Sequence, residues 1–141
     1  MTLAEMIETG DFDGPHWTEA LRRELAGAGT NGRVGSRIVS ESERVRVWLI
    51  EMQPGERLPI HTHVLDYFWT ATAPGRARSR YSDGRVAEMD YALGDTRHFH
   101  FEAGDSMTHD LENIGDTVLC FTTVEFFDSP NAPLIPRGAG A

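Results

Sequence analysis

The sequence predicts an all-β protein, a single small barrel or sandwich preceded by one short helix. From Val34 onward the chain consists of short segments rich in Val, Ile, Thr, Phe and Tyr, separated by Gly, Pro and Asp. Many short strands divided by turn residues are typical of sandwiches and barrels. The 141 residues fit one domain, and no internal repeat indicates a second unit.

The helix is predicted over residues 15–26, PHWTEALRRELA. Pro15 suits a first helical turn, and Gly27 ends the pattern. Apolar residues recur inside the segment at helical spacing: Trp17, Leu21 and Leu25. We expect an amphipathic helix that lies against the barrel.

Seven strands are predicted after the helix. They are SRIVS (36–40), VRVWLIEM (45–52), DYFWTAT (66–72), ARSRYS (77–82), VAEMDYAL (86–93), RHFHFEA (97–103) and TVLCFTTVEFF (117–127). Asp83-Gly84 is a strong hairpin signal between the fourth and fifth of these strands. The sequence therefore divides into an N-terminal segment (1–33), a β-barrel (34–127) and a proline-rich surface tail (128–141).

Composition argues against several classes of partner. The formal net charge is −9, with no basic block, so phosphate backbones and anionic membranes would be repelled. Apolar runs are too short to span a bilayer, and the N-terminus lacks the features of a signal peptide. The single cysteine, Cys120, cannot form an internal disulfide. We expect a cytoplasmic protein that binds neither nucleic acid nor membrane.

The first chemical signal is His61-Thr62-His63. In an extended segment, residues two apart point to the same side, so both imidazoles can reach one point. Neutral imidazole is a common ligand of Zn, Fe, Ni and Cu ions. Taken alone the pattern is weak, because two surface histidines on a strand are equally compatible with it.

The surroundings of these histidines resemble the two motifs of the cupin superfamily. In the first, a glycine, five residues and H-x-H correspond to Gly55, His61 and His63, and Gly75 lies near the expected end. In the second, the matching positions are Gly94, Gly104, His109 and Asn113. The resemblance covers roughly residues 34–127. It implies a jelly-roll β-barrel that holds one divalent metal ion on His61, His63 and His109.

The chain departs from the cupin motifs at two places. The family glutamate should fall at position 67 or 68, which here are Tyr67 and Phe68, while Asp66 lies one residue early. Either the site has three histidines only, or Tyr67 or Asp66 supplies an oxygen nearby. In the second motif, Glu102 replaces a proline and the gap before His109 is two residues longer, which would reshape the mouth of the barrel.

Further residues are candidates for the pocket. His98 and His100 alternate with Phe99 and Phe101, and burial favours the phenylalanines inside, so the histidines are weaker candidates. Trp48 could line the cavity or fill the core, and Glu51 could serve as an inward base or remain solvated. Arginines that could hold a substrate carboxylate are Arg46, Arg78 and Arg80.

The resemblance implies a small-molecule site but does not choose a reaction, since cupin barrels host many chemistries. The first hypothesis is a dioxygenase-like oxidoreductase with Fe(II), acting on a small carboxylate- or carbonyl-bearing molecule. The second is a non-redox isomerase, lyase or hydratase, for which Zn, Mn or Ni would also serve. The third is a binding module without turnover. Cupin relatives pair as dimers, so we expect a homodimer.

Overall fold

The computed structural model describes residues 4–138 and contains one short helix, one 3₁₀ turn and ten strands. Helix α1 spans Glu19–Ala26 and the 3₁₀ turn spans Ala28–Thr30. The strands are β1 (Glu5–Thr9), β2 (Arg37–Glu41), β3 (Val45–Met52), β4 (Arg57–His63), β5 (Tyr67–Ala71), β6 (Gly75–Arg80), β7 (Arg85–Tyr91), β8 (Thr96–Phe99), β9 (Met107–Asn113) and β10 (Leu119–Phe126). The predicted all-β fold with a short N-terminal helix is confirmed.

The strands form two five-stranded sheets. One has the order β1-β7-β6-β9-β4 and the other β2-β3-β10-β5-β8, and the pairings within both are antiparallel. The main core cluster draws from both sheets: Ile50, Met52, Leu58, Ala71, Ala77, Leu111, Leu119 and Phe121. The two sheets therefore face each other across a shared apolar interior, as in a jelly-roll barrel.

The predicted hairpin at Asp83-Gly84 joins β6 to β7. Asp83 accepts a hydrogen bond from the backbone N–H of Arg85, and Gly84 has a φ of +89°. A Cβ on Gly84 would lie 2.9 Å from the backbone of Gly10. Both this close approach and the positive φ therefore require glycine at this position. This close approach brings the N-terminal segment against the hairpin.

The N-terminal segment differs from its prediction in two respects. The helix begins at Glu19 rather than near Pro15, because Thr18 caps it by accepting a hydrogen bond from the backbone N–H of Leu21. Residues Glu5–Thr9 form an unpredicted strand that pairs with β7. Strand pairing thus extends to the N-terminal side of residue 34.

The outer face of the first sheet is covered by the N-terminal segment. Trp17, which is 4% exposed, packs with Ala28, Ile60 and Val86, and its indole donates to the carbonyl of Gly84 at 2.8 Å. Glu24 of α1 forms an ion pair with Arg57 of β4 at 2.6 Å. Helix α1 is therefore fixed beside the strand that carries the H-x-H pair.

The C-terminal tail lies against β2 and β3. The guanidinium of Arg46 donates to the carbonyls of Ile135 and Pro136 at 2.9 and 3.0 Å. The same side chain forms an ion pair with Glu41 at 3.2 Å, and Glu41 also accepts from the backbone N–H of Gly138. No helix among residues 4–138 is long and apolar enough to cross a bilayer.

Candidate metal centre

Two neighbouring strands bring three histidines together. His61 and His63 lie two residues apart on β4, and His109 is the cross-strand partner of His61 on β9. One ligand atom from each imidazole lies within 4.8 Å of the others. His61 and His63 are 1% and 3% exposed, so the cluster sits inside the barrel.

The intervening residue, Thr62, points the opposite way and is covered by the 3₁₀ turn. Its hydroxyl donates to the carbonyl of Ala28 at 2.8 Å, and its backbone N–H donates to the carbonyl of Asn31. The amide of Asn31 in turn donates to the carbonyl of Ile60. These contacts cover β4, an edge strand, and fix the backbone from which the two histidines project.

Hydrogen bonding orients the ring of His61. Its Nδ1–H donates to the carbonyl of Pro59 at 2.7 Å, which leaves Nε2 without a proton and free to act as a ligand. The Nε2 atoms of His63 and His109 lie 3.2 Å apart. Two nitrogens that each bind one ion at about 2.1 Å are separated by about 3 Å, so this spacing fits joint coordination.

The three imidazoles are neutral at physiological pH. Burial lowers the pKa of His61 to about 4, partly opposed by its hydrogen bond to Pro59. Burial and the neighbouring histidines hold the pKa values of His63 and His109 well below the usual range. A neutral imidazole is the form that binds metal, so burial keeps all three histidines in their metal-binding form.

The donor set fits a divalent metal ion. The Nδ1 atoms of His63 and His109 are buried and have no hydrogen-bond partner among residues 4–138. Burying such groups unpaired costs free energy, and the free energy of metal binding by the three imidazoles would offset that cost. His61, His63 and His109 are thus able to hold one ion with three neutral nitrogens, which leaves coordination positions for other ligands.

Tyr67 occupies the position at which the motif glutamate was expected. Its ring stacks on the imidazole of His63 with a centroid distance of 4.1 Å and an interplanar angle of 12°. Its other face stacks on Phe99 at 4.6 Å and 5°. An aromatic ring therefore supports His63 where a carboxylate ligand would otherwise lie.

Asp66 does not join the three histidines. Its carboxylate accepts from the backbone N–H of Phe101 and from the imidazole of His100, both at 2.9 Å. These contacts fix the chain between β8 and β9. The expectation that Asp66 supplies a metal-site oxygen is corrected: its side chain has a structural role in this loop.

A cavity of about 300 Å³ lies between the two sheets beside the histidines. All three tyrosines of the chain line it, namely Tyr67, Tyr81 and Tyr91, together with apolar side chains such as Trp69, Phe99 and Met107. A cavity at the lower end of the range for ligand pockets suits a small molecule. Its mostly apolar wall suits one with a hydrocarbon or aromatic part.

Four other pocket candidates lie outside the cavity wall. His98 and His100 are exposed on the outer side of the chain at β8, while Phe99 lines the cavity and Phe101 is buried. Glu51 is exposed on β3. Trp48 is fully buried, and its indole donates to Glu125 at 2.6 Å rather than facing the cavity.

The cationic residues of the cavity are Arg85 and Arg97, neither of which was predicted from the sequence. The three predicted arginines bind carboxylates elsewhere: Arg46 binds Glu41, Arg78 binds Glu88, and Arg80 binds Asp110. A signal for Arg97 was present, because period-two alternation places it on the same face as Phe99. Arg85 follows the hairpin turn, and its approach to the cavity depends on the tertiary fold.

The motif asparagine has a structural role. Asn113 is 1% exposed, and its amide donates to the carbonyls of Met52 and Thr117 at 2.9 and 2.8 Å. Its side-chain oxygen accepts from the backbone N–H of Gly115. Asn113 therefore holds the turn after β9 and does not contribute to the metal centre.

The two sheets can be compared with solved structures. A cupin domain from Bordetella pertussis aligns with a TM-score of 0.55 at 22% identity, covering 63% of this chain and 88% of that one. An RmlC-like cupin with a double-stranded β-helix fold from Methanocaldococcus jannaschii gives 0.52 at 19% identity, covering 64% and 76%. The chain is a cupin by fold.

One curated relative is similar in sequence. The chain is 31% identical over 97 residues to oxalate decarboxylase of Bacillus subtilis, a match that covers 67% of this chain. The matched part spans 22% of the length of that relative. No family model matches the chain.

Proposed function

We propose that this cupin is a metal-dependent enzyme that oxidises a small carboxylate- or carbonyl-bearing molecule with dioxygen, using Fe(II) held by His61, His63 and His109. The observation that carries the proposal is the cluster of three neutral imidazoles, two of them buried and that of His109 half-buried, which lines a cavity and includes no carboxylate. A divalent ion there supplies positive charge and open coordination positions for substrate and dioxygen.

The protein's own residues give this site its selectivity. Apolar and aromatic side chains of the cavity accommodate the hydrocarbon part of a substrate. Burial raises the pKa of Tyr67 well above its usual value, opposed in part by the charge of Arg97, so its hydroxyl stays protonated. Tyr67 is therefore suited to donate a hydrogen bond to a substrate oxygen, and not to bind as phenolate.

A second candidate is a non-redox lyase, isomerase or hydratase. It is favoured by the relative in Bacillus subtilis, whose name describes the decarboxylation of a small carboxylate. In this case an ion held by His61, His63 and His109 would supply a Lewis acid, and Tyr67 would act as proton donor to the substrate.

Oxygen consumption distinguishes the two candidates. Protein reconstituted with Fe(II), with Zn(II) or with no metal is screened against small carboxylates and ketones in an oxygen electrode, with product analysis in parallel. We expect oxygen uptake with Fe(II) alone, and its loss in His109→Ala but not in His98→Ala, a histidine outside the cluster. Turnover that proceeds equally well without oxygen, or with zinc, would contradict the dioxygenase proposal and favour the second candidate.

A further inference from the structure

Two rows of stacked side chains lead from the mouth of the cavity to the metal centre. In one, the guanidinium of Arg97 lies 5.0 Å from the ring centre of Phe99, which stacks on Tyr67, which stacks on His63. In the other, the guanidinium of Arg85 lies 4.9 Å from the ring centre of Tyr81, which stacks on His109 at 5.6 Å. Each row ends in a cation that lines the cavity.

The two arginines belong to opposite sheets. Arg85 begins β7 in one sheet, and Arg97 lies on β8 at the edge of the other. Both guanidinium groups line the same cavity, although the chain has a net charge of −9. Local charge of this kind attracts anions into a cleft with low-dielectric walls.

Arg85 and Arg97 differ in whether a carboxylate of the protein already neutralises the guanidinium charge. Arg85 is paired with Asp83 through a contact of 2.6 Å. Within residues 4–138 no carboxylate lies within ion-pair distance of Arg97, and no hydrogen bond engages its guanidinium. All the N–H donors of the Arg97 guanidinium are thus available, and their planar arrangement suits bidentate binding of a carboxylate.

We propose that Arg97, assisted by Arg85, binds the carboxylate of a small substrate whose apolar or aromatic part lies in the cavity between this anchor and the three histidines. The inference deepens the proposed function, on which it rests, by naming the substrate class as carboxylates with a hydrocarbon body. Oxalate has no hydrocarbon part and would therefore make no contact with the apolar side chains of the cavity wall. The substrate class therefore differs from that named for the relative in Bacillus subtilis.

Ligand binding by metal-free protein tests this anchor separately from metal chemistry. Benzoate, phenylacetate and 3-phenylpropanoate are titrated by calorimetry into the full chain after chelator treatment, with benzyl alcohol and oxalate as comparison probes. We expect at least one aryl carboxylate to bind more tightly than both comparison probes. The inference would be overturned if none of the aryl carboxylates showed saturable binding up to about 10 mM, a concentration at which even weak specific binding is detected.

Three variants locate the anchor. Arg97→Gln is expected to weaken aryl carboxylate binding by about tenfold or more, since a charge-assisted contact is lost, and Arg97→Lys to lose less. Arg37→Gln, at an exposed arginine on β2 outside the cavity wall, is the matched control and should bind like the unsubstituted protein. Equal binding by Arg97→Gln and the unsubstituted protein would overturn the anchor.

The same titrations with Zn(II)-loaded protein distinguish binding of the carboxylate by Arg97 from binding by the metal ion. Binding that depends on Arg97 in both the metal-free and zinc-loaded forms supports the anchor, whatever the outcome of the oxygen measurements. Binding that appears only with zinc and is unaffected by Arg97→Gln shows that the carboxylate sits on the metal, which overturns the anchor while leaving the metal centre intact.

Discussion

Tyr67 stands where a cupin motif places a carboxylate, and its ring lies between His63 and Phe99. The stacking is a property of the ring alone, whereas any contact with substrate depends on the hydroxyl. The two roles of this residue can therefore be separated by removing one oxygen atom.

Tyr67→Phe is expected to lower turnover by about tenfold or more, because a positioned proton donor is lost. The melting temperature and the metal content should stay unchanged, since the stacked ring is retained. Unchanged turnover would assign Tyr67 to packing alone. Asp66→Asn is the matched control: its carboxylate contacts Phe101 and His100 rather than the metal centre, so metal content should be preserved.

At the scale of strands, β10 is the centre of the second sheet, with β3 on one side and β5 on the other. Its inward residue Glu125 is 4% exposed and pairs in register with Arg46 and Tyr67. Burial raises the pKa of Glu125 to about 7, opposed by the hydrogen bond from Trp48 and the charge of Arg46. This buried acid makes the stability of the sheet depend on pH.

The sign of that dependence follows from proton linkage. Between its ordinary pKa of 4.5 and the folded value of about 7, Glu125 holds a proton in the folded protein that the unfolded chain has lost. The free energy of unfolding therefore falls as pH rises through this window, by about 3 kcal/mol from this group at most.

Glu125→Gln should flatten that part of the pH profile and be more stable than the unsubstituted protein at pH 8. Glutamine keeps an oxygen that accepts from the Trp48 indole but does not titrate. Urea unfolding of metal-free protein at pH 5 and pH 8 measures the difference, with the exposed Glu51→Gln on β3 as control. Parallel pH profiles for Glu125→Gln and the unsubstituted protein would contradict this account.

The strands that the sequence predicted best are those with one clear apolar pattern. Strand β3 matches its predicted bounds, 45–52, because buried and half-buried residues alternate along it. Strands β4 and β9 were not predicted as strands. Their inward faces carry histidines, and their other faces carry polar residues such as Thr62 and Asp110, which are buried by partners distant in sequence.

The cluster of three histidines was predicted more fully than the cavity beside it. The spacing of His61 and His63, with the resemblance at His109, anticipated a cluster that the fold assembles. Period-two alternation along β8 places Arg97 on the same face as Phe99, but the approach of both Arg85 and Arg97 to one cavity follows from how the two sheets meet. The same holds for the stacking of Tyr67, whose partners lie on β4 and β8.

On the scale of the whole molecule, the barrel is covered on one face by the N-terminal segment and at β2 and β3 by the tail. The outer edges of the sheets at β1 and β2 retain exposed apolar residues, namely Met6, Ile7 and Val39, which are 48%, 41% and 47% exposed. Open strand edges with apolar residues favour pairing with another chain.

We propose that the protein is a homodimer. Light scattering during size-exclusion chromatography at micromolar concentration should give twice the mass of one chain. The variant Ile7→Glu/Val39→Glu, which places charge on both edges, should shift the mass toward a single chain if these edges form the interface. A single-chain mass for the unsubstituted protein would contradict the dimer.

The central claim is that His61, His63 and His109 hold one metal ion, and metal analysis of purified protein tests it most directly. We predict about one divalent ion per chain, retained after gel filtration, and near-complete loss in the variant with all three histidines replaced by alanine. His98→Ala, an exposed histidine outside the cluster, should keep full metal content. Full metal content in the triple variant would contradict the account and make His98 and His100 the next residues to test.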